Sequence, residues 1–269
     1  MRADYTQVFQ DTTAVAKYDD VQYAPDSHST AVNARQRRYL RRLVRDAFPM
    51  QRPTQHDSAC GTGRAVELLH GLVRDAHGYD TSVQMLARAD ENGHHAHWHQ
   101  IEEAGPVPTP APVSGTSIVT VFRLLLNVPD SVRERSIAFA ARALPTYTSG
   151  LLVVQNHGSA RSLRHLRARR NASNPWFSEL SDAYVLGLFA QHGFTLVGRR
   201  GFAMFPKGWY APRLTRPIVR AVDDALCRLR IFDRYAVDVL YVARRDRPAG
   251  THESPDGGAA STVGGEGAA

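Results

Sequence analysis

The stretch from His56 to Ala89, HDSACGTGRAVELLHGLVRDAHGYDTSVQMLARA, constrains the fold of this chain more than any other. It predicts a strand, a glycine turn, a helix, a second strand and a second helix. Asp57 closes the first strand. Ala59-Cys60-Gly61-Thr62-Gly63 then makes a turn whose glycines can take positive φ and let a ligand lie against the backbone. A helix beginning near Arg64 points its free N–H groups and positive dipole end at whatever sits on that loop. The second strand, Ala76 to Tyr79, ends in Asp80, 23 residues beyond Asp57. A mononucleotide-binding βαβ unit places there the acid that holds the ribose hydroxyls, so the unit is expected to bind an adenosine.

The spacing of the loop decides between adenosine cofactors. A dinucleotide fingerprint needs a small third residue, and counting from Gly61 and Gly63 puts Val66 at that position. What fits is acid-x-small-x-Gly-x-Gly, as Asp57, Ala59, Gly61 and Gly63, followed by Tyr79-Asp80-Thr81-Ser82 and then Met85-Leu86. On these residues the sequence resembles the class I S-adenosylmethionine-dependent methyltransferases, whose first motif commonly reads L-D-x-G-C-G-T-G and whose second reads G-x-D-x-S-x-x-M-L. Two motifs match in order and at the right separation. The sequence departs at Ala59, where the family usually has glycine, and at His56, where an apolar strand residue is usual.

The resemblance implies a three-layer α/β sandwich around a mostly parallel seven-stranded Rossmann-like sheet with its last strand antiparallel. It also implies S-adenosylmethionine as cofactor. Asp57 would order the loop and the donor's amino end, Gly61 and Gly63 would admit its methionine portion, and Asp80 would bind the ribose. Ala59, Thr81, Ser82, Met85 and Phe122 complete the implied cofactor set. The position of the acid that often contacts the adenine amino group falls at Gln100, whose carbonyl can accept the same bond, with Ile101 against the ring. Glu102 and Glu103 fall slightly later.

With 269 residues, 43% of them apolar, the chain can build one large α/β domain with appendages. The expected division is an arm and helix over 1–53, the domain over 54–245 with an insertion at about 201–235, and a disordered tail over 246–269. No apolar run is long enough to span a bilayer and the N-terminus lacks a signal peptide's apolar core, so the expectation is a cytoplasmic protein. Cys60 and Cys227 are the only cysteines, which excludes a disulfide framework and leaves Cys60 as a small loop residue. The formal charge of +7 raises nucleic acid or an anionic surface as partners. Lysine occurs only at Lys17 and Lys207, however, so the excess is arginine and is equally explained by coding bias.

Along the chain, Tyr5, Phe9, Tyr18 and Tyr23 suit a substrate cap or a packed surface arm. From Ser29 the spacing predicts a helix with an apolar face of Val32, Tyr39, Leu40, Leu43, Val44, Ala47 and Phe48. Its other face, with Arg35, Arg37, Arg38, Arg41, Arg42 and Arg45, reads as solvated in preference to a clamp for RNA or an acidic membrane. His94, His95, His97 and His99 lie where a third strand is expected. A metal site is rejected there, because such sites recruit ligands from separated elements and fix them with further partners. Gly105 to Gly115 is a proline-rich connection.

Ser117 to Phe122 predicts the fourth strand, whose carboxyl end presents Phe122, Arg123 and Asn127 to the expected active site. The segment lacks the N/D-P-P-Y/F signature of base methylation. After a helix over Ser131–Leu144, the apolar fifth strand Gly150–Gln155 leads to His157. A neutral imidazole there could take the proton of an oxygen nucleophile, or merely bond a loop backbone. Ser159 to Arg170 is a second arginine-rich segment. A helix over Ser181–His192 and strands over Phe194–Arg200 and Val237–Arg244 follow. The insertion carries Phe202, Met204, Phe205, Trp209 and Tyr210, then a helix through Leu226, and is expected to cover substrate or to make an oligomer contact such as a homodimer.

The activity expected is O-methylation of a small molecule: a natural product, a sugar or a lipid-linked metabolite. The arginine segments keep an RNA methyltransferase as the alternative. Ala59 and Gln100, as signs of decay, keep a non-catalytic binding module as the third reading.

Overall fold

The computed structural model describes residues 27–162, 165 and 180–247. Of the aromatic segment over 1–28, expected as a cap or a surface arm, residues 1–26 lie outside the described residues, as do most of the arginine-rich segment after Ser162 and nearly all of the tail. The elements run α1 (His28–Ala47), β1 (Thr54–Ser58), α2 (Arg64–Leu69), β2 (Ala76–Asp80), α3 (Val83–Glu91), β3 (His97–Gln100), β4 (Ser117–Val121), α4 (Asp130–Ala143), β5 (Gly150–Asn156), α5 (Asp182–Gln191), β6 (Phe194–Ala203), α6 (Arg216–Arg228) and β7 (Asp238–Arg245). Short 3₁₀ turns at Leu125–Asn127, Lys207–Tyr210 and Arg230–Tyr235 lie between them.

The strands form one seven-stranded sheet in the order β3-β2-β1-β4-β5-β7-β6. β1, β2, β3, β4 and β5 pair in parallel, and β7 is antiparallel to both neighbours. This is the expected sheet. Chain direction across it reverses between β1 and β4, which opens a crevice at the carboxyl ends of those strands.

Alternation along the central strands divides the core into two layers. Val119 and Val121 of β4 and Leu152 and Val154 of β5 meet Ile137 and Phe139 of α4 and Phe189 of α5. Ile118, Leu151 and Val153 point the other way, to Val32, Leu40 and Val44 of α1 and Leu68 and Leu69 of α2. Because both faces are covered, β4 and β5 can be apolar throughout.

β1 is buried along its whole length yet polar, so each side chain must find a partner. Gln55 donates to Thr120 Oγ1 at 3.1 Å, and Thr120 donates to Asp57 Oδ1 at 2.7 Å. Nδ1 of His56 lies 3.2 Å from the Tyr79 hydroxyl. His56 also stacks on its neighbour His77, which stacks in turn on His97 and His99 of β3. The histidines thus form an aromatic ladder across three strands. No group of three or more His, Cys, Asp or Glu side chains among the described residues can hold a metal ion.

One expectation fails on α1. Arg35 is 6% exposed, not solvated: it bonds Asp223 at 2.7 Å and Asp224 at 2.5 Å on α6 and donates to the Phe202 carbonyl at 2.8 Å. Arg37, Arg38, Arg42 and Arg45 are exposed as expected. The sequence of α1 alone does not show that a partner helix 188 residues away brings acids to one of its six arginines.

Candidate active site

At the carboxyl ends of β1, β2 and β4 the chain encloses a cavity of about 280 Å³. Its floor is the loop after β1. Ala59 and Gly61 take left-handed conformations, with φ of 56° and 54°. That conformation costs alanine about 1–2 kcal/mol, a strain that glycine would not carry. The loop is tied to the second motif: Asp80 accepts the Gly61 N–H at 2.8 Å and the Ser82 N–H at 3.0 Å. Burial raises the Asp80 carboxyl above its ordinary range, and these N–H donors oppose the rise. Ser82 also caps α3 by accepting the Met85 N–H at 3.1 Å.

Asp57 is the second acid of the cavity. It is 1% exposed, and burial pushes its carboxyl up to about 7 against the Thr120 hydrogen bond. Its Oδ2 is buried with no hydrogen-bond partner among the described residues. An unsatisfied buried acceptor in a cavity wall calls for a donor from whatever fills the space. Behind the loop, Arg64 donates to Gln36 at 2.6 Å, and Gln36 and Gln155 both donate to Asp238, at 2.8 Å and 2.7 Å. This network joins α1, α2, β5 and β7 under the cavity.

The opposite wall is the segment after β4. Arg123 sits at φ 58°, unusual for a residue with a side chain, and its carbonyl accepts from Asn127 at 3.2 Å. The turn that carries Asn127 is fixed from α4, because Arg133 donates to the Leu125 carbonyl at 2.7 Å. Phe122, Leu124, Val128, Val132 and Phe139 make this side largely apolar.

Of the residues singled out from the sequence, the structure brings Asp57, Ala59, Gly61, Asp80, Thr81, Ser82, Met85, Ile101, Phe122, Arg123 and Asn127 to the lining of this one cavity. Gly63, Gln100 and His157 are not part of it. A Cβ on Gly63, at φ 84°, would come 2.7 Å from the His94 ring and 3.2 Å from Trp98, so this glycine serves the packing of the loop on β3. Gln100 is exposed at the end of β3, while Glu103, set aside as too late, lines the cavity. His157 is half-buried beyond the end of β5.

The sequence did not single out Arg64, Val132, Arg135 and Ser136, which also line the cavity. The last three recur at helical spacing on α4. A signal was present, since a helix that follows a strand end at the crevice must turn its first turns toward it.

No family model matches the chain, and no curated protein matches it. Solved structures do resemble it. Magnesium protoporphyrin IX methyltransferase from Synechocystis PCC 6803 with bound SAH aligns over 90% of this chain and 98% of its own, at 10% identity and a TM-score of 0.59. A SAM-dependent methyltransferase from Archaeoglobus fulgidus aligns over 86% of this chain and 99% of its own, at 14% identity and a TM-score of 0.51. The DhpI–SAH complex covers 91% and 99%, at 16% identity and the same TM-score. Strand order, the antiparallel β7 and the loop after β1 together with these likenesses establish that the chain adopts the class I S-adenosylmethionine-dependent methyltransferase fold.

Proposed function

We propose that the chain is an S-adenosylmethionine-dependent methyltransferase that methylates a hydroxyl of a small molecule. The observation that carries the reading is the buried Asp57 Oδ2, an acceptor with no partner in a cavity whose other acid, Asp80, stands at the ribose position of the βαβ unit. Two of the similar structures contain SAH, which supports the same nucleotide here.

The residues present fit that cofactor. Asp80 would accept from the ribose hydroxyls, Asp57 from the donor's amino group, and Ile101 and Met85 would pack against the adenine. When bound, the cofactor supplies an electrophilic methyl group on a sulfonium. The chain's own task is then alignment and exclusion of water, which for a bimolecular displacement contributes on the order of 7–11 kcal/mol to lowering the barrier. Leu124, Val128, Val132 and Phe139 exclude water on the acceptor side, while Arg123 and Asn127 offer it polar contacts. His157 lies outside the lining and is given no step. The apolar wall favours a small acceptor over an RNA base, which needs stacking and phosphate contacts at the mouth.

Calorimetric titration with S-adenosylmethionine and S-adenosylhomocysteine tests the reading. Binding of either supports it and leads to acceptor screening with a labelled methyl donor. A folded, monodisperse sample that binds neither overturns it.

A further inference from the structure

The outer face of the insertion carries the sequence's least expected pattern. Of the eleven large apolar side chains exposed among the described residues, seven fall between Trp209 and Tyr235, so the exposure is concentrated and not scattered. Leu214 is 93% exposed, Ile231 74% and Ile218 67%. On α6 and the residue that caps its end, Ile218, Val222, Ala225 and Leu229 recur at spacings of four, three and four, which makes one stripe along the helix, and all are exposed. The side of α6 that faces the protein carries Asp223 and Cys227 with Leu226 packed against the core beside them, so the outer stripe is apolar surface beyond what the core uses.

Charge selects the occupant. The acids of this segment are engaged inward, with Asp223 and Asp224 on Arg35 and Asp233 on Arg200. The exposed charged groups around the stripe are cations: Lys207, Arg213, Arg228, Arg230 and Arg234. An apolar stripe with a cationic border fits the headgroup boundary of an anionic membrane, where aliphatic side chains enter the acyl region and arginines reach phosphates. A second copy would bring like charges together across the contact. RNA would engage the arginines but leave the aliphatic stripe in water. No helix among the described residues is long and apolar enough to cross a membrane, so the contact would lie on the surface.

We infer that the face formed by α6 and its flanking turns docks on an anionic lipid surface. This inference does not depend on the methyl-transfer reading, and its test reads binding only. Flotation of the full chain with phosphatidylcholine vesicles, with and without phosphatidylglycerol, is the experiment. The chain floats with the anionic vesicles and not with the neutral ones. Ile218→Asp combined with Leu229→Asp reduces the floated fraction roughly tenfold or more, as does Arg228→Glu combined with Arg230→Glu, and both keep the native circular dichroism. The first pair separates this face from simple attraction of a basic protein to anions. A native chain that stays in solution overturns the inference, and so does an Ile218→Asp, Leu229→Asp variant that floats like the native chain. Absence of vesicle binding with a dimer that the same substitutions dissociate reassigns the face to a second copy, and a soluble acidic protein captured in its place reassigns it to that partner.

Discussion

Oδ2 of Asp80 accepts the Gly61 N–H at 2.8 Å, so the acid that ends the second strand holds the glycine loop as well as facing the cavity. The two motifs therefore act as one unit. Asp80→Ala is expected to lower affinity for S-adenosylhomocysteine by tenfold or more through lost ribose bonds, and to lower stability by about 1–3 kcal/mol because the Gly61 N–H loses its acceptor. Titration calorimetry and thermal melting measure the two effects. Native affinity in the variant would remove Asp80 from the ribose site.

Asp57 is expected to give the binding a pH dependence. Its carboxyl is held up to about 7 by burial, so below neutrality it is largely protonated and cannot accept from an ammonium group. Affinity for the methyl donor should rise as pH increases from 6 through 7 and level off above about 8. Binding near pH 6 should release a proton, visible as a dependence of the calorimetric heat on buffer ionisation. Asp57→Asn should abolish both signatures while weakening binding, and a flat native profile would separate Asp57 from the amino end.

His56 gives the fold a different one. Its pKa is lowered from 6.5 to about 4, by burial first and by His77 and His99 next, and its Nε2 is buried without a partner. Between those values the unfolded chain binds the extra proton and the folded chain does not. The stability present above pH 6.5 is then lost as pH falls toward 4, by roughly 3 kcal/mol at the limit. Asp57, shifted upward, works in the opposite direction over the same range. The informative quantity is therefore the difference between native chain and His56→Val, measured by urea unfolding at several pH values. The variant should lose less stability on acidification, and equal slopes would sink the assignment.

Ala59 tests the departure from the usual glycine. At φ 56° an alanine is strained by about 1–2 kcal/mol, while glycine would cost about 0.5–1 kcal/mol in the unfolded chain's freedom. Ala59→Gly should leave the melting temperature level or slightly higher, with cofactor affinity retained. Ala59→Val, β-branched in the same conformation, should lower both.

Much of this was legible because it is local. The glycine loop, Asp80 and the alternation of β4 and β5 are spacings within a few residues, and they fixed the sheet and most of one cavity wall. What was not legible depends on partners far along the chain. Arg35 falls at helical spacing from Val32 and Tyr39, on the buried side of α1, but the acids of α6 that hold it there lie 188 residues away. The packing of His94 and Trp98, the latter 35 residues later, against Gly63 is not visible in the spacing of the glycine loop. Gln100 is exposed while Glu103 lines the cavity because β3 is short and its end is set by pairing with β2 rather than by its own sequence.

The Arg35–Asp223 pair is a fifth test. Arg35→Met leaves Asp223, 0% exposed, without its guanidinium, and should cost about 3–5 kcal/mol in chemical unfolding, with Asp223→Asn recovering part of it in the double variant. Additive losses would show the two side chains to be energetically independent.

That pair also settles a choice of rotation. An isolated helix with the sequence of α6 would roll Ile218 and Val222 onto the nearest sheet and leave its aspartates in water. A single guanidinium set in the wall of α1 makes the reverse orientation the favourable one, because Asp223 meets it along with the Met204 N–H and the Tyr210 hydroxyl. Orientation about the helix axis is thus decided by a few polar atoms at its inner side, and everything the outer side presents is a consequence of where they point.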